Sequence, residues 1–261
     1  MSSEVTSTGT VDRVALLLKV LAESNGDSSV AEVAQRMRLP TSTTHRLLVL
    51  LVNTGLADRG SRAGTYRAGL EFLRLGGLIV SRTEVTTVAE GFMQRVADGT
   101  GETSVLNLYV PAEQKAMIVK AIYGHHPLRI EQELYKMSSL AYGALGRSML
   151  AFLPAEVVDE VLAKQEVSPI TGRPMQDNRT IRRELALIRE RGYAVSKGQR
   201  ALGAVGMGTP IFRSQGAVVG SLCITMPESR FVESRESKMA HVLMEQARKL
   251  SATLGHVPSG G

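Results

Sequence analysis

One cysteine, Cys223, and five histidines are the residues from which this 261-residue chain could build a nucleophilic site. A cysteine nucleophile needs a base within hydrogen-bond reach and a third group to orient that base. No motif ties a histidine to Cys223. His125 and His126 precede Pro127 in a loop-like stretch, His241 stands in a helical stretch among basic and apolar neighbours, and His256 falls near the end. Cys223 reads as a strand cysteine behaving like a small hydrophobe. Glu102, Glu131 and Glu133 form no paired-carboxylate pattern, and His125-His126 lacks partners at metal-ligand spacing. The glycine-rich run from Gly203 to Gly208 resembles a dinucleotide loop, but it runs into Pro210 instead of opening a helix. No enzyme, cofactor or metal is expected from these residues.

The arginines suggest different chemistry. Between Ala34 and Arg82 stand Arg36, Arg38, Arg46, Arg59, Arg62, Arg67, Arg74 and Arg82, opposed only by Asp58 and Glu71. The chain carries a formal charge of +6, and that whole surplus lies in this segment. Arginine presents a planar fork that matches phosphate oxygens in two parallel hydrogen bonds. A confined basic segment is the electrostatic footprint of a nucleic-acid binder.

These residues need elements to position them. Val14, Leu17, Leu18 and Leu21 recur at helical spacing and predict a helix over Asp12 to Ala22. Ser29 followed by Glu32 is a capping-box pattern opening a short helix to about Met37. Pro40 breaks that helix. Thr41 is expected to cap a third helix, Ser42 to Thr54, closed by a left-handed Gly55. Leu56–Arg59 and Thr65–Ala68 predict a hairpin around a basic, glycine-flanked tip. Gly69 to about Val80 is again helical.

The rest of the chain alternates. Helices are expected over Thr83–Asp98, Ala141–Phe152, Ala155–Lys164, Thr180–Arg191 and within Arg230–Leu254. Strands are expected over Gly101–Val110, Lys115–Ile122, Leu128–Glu131, Tyr193–Val195, Gly208–Phe212 and Val218–Thr225. Helices and antiparallel hairpins segregated in this way predict an α+β domain.

Helix, helix, turn, helix, then hairpin is the order of a winged helix-turn-helix. At 100° per residue, Thr44, Leu47, Leu48 and Leu51 gather on one face of the third helix, and Ser42, His45, Arg46, Val49 and Asn53 on the other. A recognition helix needs that division, packing inward on leucines and offering short donors and an arginine to base edges. Arg46 could fork onto guanine, and Thr41, Ser42, Thr43 and His45 could meet phosphates or bases. Arg59, Arg62 and Arg67 at the hairpin are expected against the DNA backbone or minor groove.

The sequence resembles the IclR family of bacterial transcriptional regulators. The likeness spans about residues 11–255. It is carried by Leu39-Pro40-Thr41-Ser42-Thr43-Thr44-His45-Arg46-Leu47-Leu48, by Tyr66-Arg67-Ala68-Gly69, by His126-Pro127-Leu128-Arg129 and by Ala144-Leu145-Gly146-Arg147. Arg191-Gly192-Tyr193-Ala194-Val195, Pro210-Ile211-Phe212 and Pro227-Glu228-Ser229-Arg230-Phe231 continue it in order. The resemblance implies an α+β chain with a winged helix-turn-helix over 11–68, a linker helix over 69–82 and a GAF-like α/β effector-binding and oligomerisation domain over 83–255. Tails of 1–10 and 256–261 flank them. It also implies binding to double-stranded operator DNA, a small-molecule effector, and assembly as a homodimer or homotetramer.

By the same resemblance, the effector pocket lies on the concave face of the second domain's sheet, at Ser196, Gly206, Cys223 and Thr225, with the turn at Tyr142, Gly143 and Ala144. Met117, Ile130 and Met137 are expected as strand-borne apolar walls. The chain departs from the common pattern. An acid is common at Ser196, a larger residue at Gly206, serine at Cys223 and Thr225, and glutamate at Gln199. Glycines remove volume and methionines reshape, so a ligand larger than a two- or three-carbon keto acid is expected, an aromatic or other catabolic metabolite. Arg129 is expected in a surface ion pair.

Composition sets the frame. At 43% apolar and 21% charged residues, the chain is globular. Its longest aliphatic run, Leu47 to Val52, is far short of the roughly 20 residues of a membrane span. A Ser- and Thr-rich start and a single cysteine make a cytoplasmic setting without membrane partners the expectation. The alternative to an effector-controlled regulator is a constitutive DNA binder whose second domain only oligomerises, or a cysteine-dependent enzyme.

Overall fold

The computed structural model describes residues 9–82, 84–168, 172 and 176–257. Most of the two expected tails therefore lies outside the described residues. The chain divides into two compact units, Met1–Thr83 and Glu84–Gly261.

The first unit packs α1 (Thr10–Ala22), α2 (Val30–Met37) and α3 (Thr41–Asn53) on a small sheet. Leu17, Leu21, Val33, Met37, Leu47, Leu48 and Tyr66 form its core. The capping box at α2 is present: Ser29 Oγ accepts from Glu32 N at 3.2 Å and Ser29 N donates to Glu32 Oε2 at 2.7 Å. Two local expectations change. Helix α1 begins at Thr10, inside the expected tail. Thr41 does not cap α3; it is the first helical residue, because the Pro40 carbonyl already accepts from Thr44 N at 3.0 Å. Gly55 ends α3 at φ +72°, the left-handed conformation glycine adopts without strain.

The hairpin is β2 (Ala57–Arg59) and β3 (Thr65–Ala68), with Ala57 opposite Ala68. A third strand, β1 (Ser28–Ser29), pairs with the other edge of β3. Two residues are too short for any periodicity, so the sequence gives no sign of it. Helix α4 (Leu70–Arg82) follows.

The second unit is an antiparallel sheet with helices on both faces. Its elements are α5 (Glu84–Thr100), β4 (Thr103–Val110), β5 (Lys115–Ile122), β6 (Met137–Ser139), α6 (Gly143–Leu150), α7 (Ala155–Ala163), α8 (Asn178–Arg191), β7 (Ala194–Lys197), β8 (Ala204–Phe212), β9 (Val218–Pro227) and α9 (Glu233–Thr253). The six strands run in the order β6-β5-β4-β9-β8-β7. Leu106, Val205, Met207, Leu222, Ile224 and Met226 bury one face against Met93, Val96, Leu243 and Leu250 of α5 and α9. A second cluster joins α6, α7 and α8 through Leu140, Met149, Leu150, Leu162, Ile181, Leu185 and Ile188.

Three expectations are corrected here. Leu128–Glu131 is not a strand, because the free edge of β5 is paired by Met137–Ser139 instead. The glycine-rich run, discounted above as a phosphate loop, does not lead into a strand at Gly208; β8 already starts at Ala204. Both faces of β8 are covered, so its burial is nearly continuous and no alternation appears in the sequence. Gly208 is there for helix approach: a Cβ would stand 2.7 Å from the Ala144 carbonyl and 2.9 Å from both Ser148 Oγ and Cys223 Sγ. Finally, His256 belongs to the fold and not to a tail, since its ring lies 5.1 Å from that of Phe212.

Candidate nucleic-acid interface and ligand cavity

Helix α3 carries the division its sequence predicts. Its buried residues are Thr44, Leu47, Leu48 and Leu51. Thr41, Ser42, His45 and Arg46 are exposed, and Thr43 is half-buried. The His45 ring lies edge-on to buried Tyr66 of β3, centroids 6.2 Å apart, which sets the polar face of α3 beside the hairpin. Arg59, Arg62 and Arg67 are exposed on that hairpin.

The structure sorts the arginines. Arg36 is tied to Glu23 and to the Val20 carbonyl, and Arg74 forms a bidentate pair with Glu71. Arg46, Arg59, Arg62 and Arg67 have no ion pair among the described residues. They are the cations left free to meet a polyanion.

Sequence reasoning missed what holds the hairpin tip. Asp27 Oδ2 accepts from both Ser61 N and Ser61 Oγ, each at 2.6 Å. Those bonds, with help from Arg67 and Arg62, hold its carboxyl below the usual carboxylate range. Gly60 makes room for this: a Cβ there would overlap Thr65 Oγ1 and the Asp27 carboxyl. An aspartate in a loop between two helices offers no periodicity from which the clamp could be read.

In the second unit, strand register assembles the expected pocket. Ser196 pairs with Gly206, and Gly206 with Thr225, so one cross-strand row spans β7, β8 and β9. The neighbouring row puts Gly208 opposite Cys223 and Cys223 opposite Val105. The start of α6 sits over these rows. Ala144 N donates to Ser196 Oγ at 2.8 Å, and Gly143 N donates to Gln199 Oε1 at 2.9 Å. Gly143 has φ +72°, and a Cβ there would stand 2.9 Å from the Arg200 side chain.

A cavity of about 90 Å³ opens at this row, lined by Ser196, Gly206, Thr225, Ile130, Leu145 and Arg200, among others. Glu131, Gln132 and Glu133 also line it. A second cavity of about 100 Å³ is lined by Met137, Tyr142, Ser138, Ser139 and Ser168, and shares Glu133 and Arg200 with the first. Ile130 and Met137 thus line cavities, Ile130 from a loop and not from a strand. Met117 does not: it packs with the α5/α9 core, because Ala116 and Ile118 take the α6 side and successive strand residues alternate.

Cys223 lies beneath the cavity, fully buried with Val105, Ile118 and Leu145. Burial pushes its thiol up to about 12, against the opposing effect of hydrogen bonds to Ser221 and Asn107. A thiol so held stays protonated, the wrong state for a nucleophile. No group of three metal-ligating side chains occurs among the described residues. Arg129 stacks over the Tyr123 ring at 4.3 Å instead of forming the expected ion pair. No described helix is long and apolar enough to cross a membrane.

Arg147 fixes the start of α6. It is 1% exposed, donates from Nε to the Ala141 carbonyl at 2.9 Å and pairs with Glu184 of α8. Burial holds its pKa below the ordinary arginine value, and Glu184 offsets this only in part.

This geometry has relatives. Residues 10–60 match the family described as the IclR helix-turn-helix domain, and residues 77–252 match the bacterial transcriptional regulator IclR C-terminal family. The chain is 27% identical over 245 residues to the HTH-type transcriptional repressor AllR of Escherichia coli K12, covering 94% of this chain and 90% of that one. The fold is shared with a crystal structure of a transcriptional regulator from Alicyclobacillus acidocaldarius, at a TM-score of 0.83, 24% identity, and coverage of 94% and 98%. A second is an IclR homolog from Microbacterium hydrocarbonoxydans complexed with 4-hydroxybenzoate, at a TM-score of 0.76, 26% identity, and coverage of 93% and 97%. An exposed arginine-bearing helix beside a clamped hairpin, a sheet domain with a buried inert thiol, and matches across both units lead to one conclusion: the chain belongs to the IclR family of transcriptional regulators, DNA-binding proteins and not enzymes.

Proposed function

We propose that this regulator's grip on operator DNA is modulated by a small-molecule effector, an aromatic or other catabolic metabolite, held in the second domain. The observation that carries the reading is the cross-strand row Ser196, Gly206 and Thr225, which opens on a cavity where polar groups converge inside partly apolar walls. The 4-hydroxybenzoate bound by the Microbacterium relative supports an aromatic ligand. Cys223, Gly143 and Ala144 support the cavity from beneath and from α6.

On the DNA side, Thr41, Ser42, Thr43, His45 and Arg46 enter the major groove, and Arg59, Arg62 and Arg67 meet the backbone. The protein acts in the cytoplasm as a homodimer or homotetramer. The apolar face of α4 supports assembly, with Leu70 and Leu73 76% and 73% exposed. Effector binding shifts the population of DNA-competent arrangements. Coupling is reciprocal, so operator alters effector affinity by the same factor.

Fluorescence anisotropy of the full chain on its own upstream DNA, with random duplex as control at two salt concentrations, tests the DNA part. Arg46→Ala should lower the preference for the upstream fragment, whereas Arg62→Ala should weaken both duplexes alike and flatten the salt slope by about one unit. Equal losses on both duplexes for Arg46→Ala refute its assignment. Operator-insensitive effector affinity refutes the coupling.

A further inference from the structure

Arg200 has a role that the pocket row alone does not explain. Its half-buried side chain lines both cavities, a place it shares with Glu133. Among the described residues it has no ion pair and no hydrogen bond, although it lies near Glu133. Burial accordingly pulls its pKa below the ordinary arginine value, and Glu133 only partly offsets this. An arginine partly withdrawn from water without a partner carries a desolvation cost, so a site that keeps one gains when a carboxylate arrives.

The other sources of positive potential at this site are already in use: Lys136, which lines the second cavity, pairs with Glu133 at 2.8 Å. The first two amides of α6, Gly143 N and Ala144 N, are satisfied by Gln199 and Ser196. An anion entering the cavity must therefore find Arg200. Across the two cavities Arg200 and Lys136 are balanced by Glu131 and Glu133, which leaves no surplus of positive charge and favours a singly charged carboxylate over a phosphate dianion. Size follows from the same side chain. Each cavity alone is smaller than the roughly 150 Å³ that admits a benzene ring, and the two together exceed it.

We propose that Arg200 is the anion-binding and size-selecting residue of the effector site: it pairs with the carboxylate of a ring-sized monocarboxylic acid, and its displacement joins the two cavities. This rests on the effector reading above and goes further, to a ligand class and a residue. The guanidinium fork donates two parallel hydrogen bonds to the carboxylate. The ring then takes the volume on either side, between Ile130 and Leu145 in one cavity and Met137 in the other.

The test is a set of size-matched probes on the full chain, read by thermal shift and isothermal titration: benzoate, 4-hydroxybenzoate, benzamide, glyoxylate and pyruvate. The wild type should prefer the aromatic acids. Arg200→Gln should weaken those acids by about 10- to 100-fold and leave benzamide unchanged, with Arg200→Lys between the two. Without ligand, Arg200→Gln should melt no lower than the wild type, because an unpaired cation has been removed; that excludes misfolding as the cause. Benzamide bound as well as benzoate, or benzoate bound equally by Arg200→Gln, overturns the role of Arg200 and leaves the effector reading standing. Binding of only glyoxylate and pyruvate overturns the joined cavity. Stabilisation by none of the acids overturns the proposal, while the effector reading, which is not confined to acids, is tested separately by its coupling to operator.

Discussion

Replacing Glu184 with alanine isolates the one deeply buried cation that is paired among the described residues. Arg147 retains 2% of its side-chain exposure and Glu184 retains 24%. Without Glu184 the guanidinium keeps only the Ala141 carbonyl, and its charge is left inside the α6–α8 contact. Breaking a buried pair in this way costs about 3–5 kcal/mol. Glu184 still touches water, so the lower end applies, about 3 kcal/mol. For a domain of this size each kcal/mol moves the melting temperature by about 2–4 °C, so a fall of roughly 6–12 °C follows. Arg147→Met should cost less, because it removes the buried charge and leaves the more exposed partner free to hydrate. Glu184→Gln should recover part of the loss through its amide oxygen. The assay is differential scanning calorimetry of the three variants with the double mutant, which gives the coupling directly. A fall below about 2 °C for Glu184→Ala, or an equal loss for Arg147→Met, refutes the argument that an unpaired charge, and not lost packing, sets the cost.

Two further outcomes follow from named side chains. Native Cys223 should resist an aromatic disulfide reagent at pH 8 and react fully once the chain is unfolded; and since its folded pKa of about 12 lies above the unfolded value, its contribution to stability should be complete below about pH 8.5 and decline as pH rises toward 12, an alkaline slope that Cys223→Ala should reduce. Leu73→Glu, placed on the exposed apolar face of α4, should lower the molar mass seen by light scattering while far-ultraviolet circular dichroism is unchanged; an unaltered mass would remove that face from the interface.

Local, periodic and compositional properties were decided by the sequence itself. The face of α3 follows from the spacing of Thr44, Leu47, Leu48 and Leu51, since a helix turns by a fixed angle per residue. The α2 cap follows from Ser29 and Glu32, which meet across a single turn. The segment-bound arginine surplus marks the DNA-binding unit without any coordinates. The order of family-like motifs gave the architecture, and with it Ser196, Gly206 and Thr225.

Long-range properties were decided only by the tertiary structure. Asp27 clamps Ser61 across 34 residues, and neither residue carries a period that would join them. Met117 and Ile118 are adjacent in sequence and face opposite layers, a parity set by which strands flank β5 and not by residue type. The glycines of β8 look like a loop because a strand covered on both faces has no alternation, and only the approach of α6 explains Gly208. Of eight segment arginines, acids on neighbouring turns and helices neutralise Arg36 and Arg74 and leave Arg46, Arg59, Arg62 and Arg67 open. Arg200 is one of 31 basic residues in the sequence and becomes distinctive only in the fold, where partial burial without a partner, on lining that two cavities share, gives its charge a cost that a ligand can relieve.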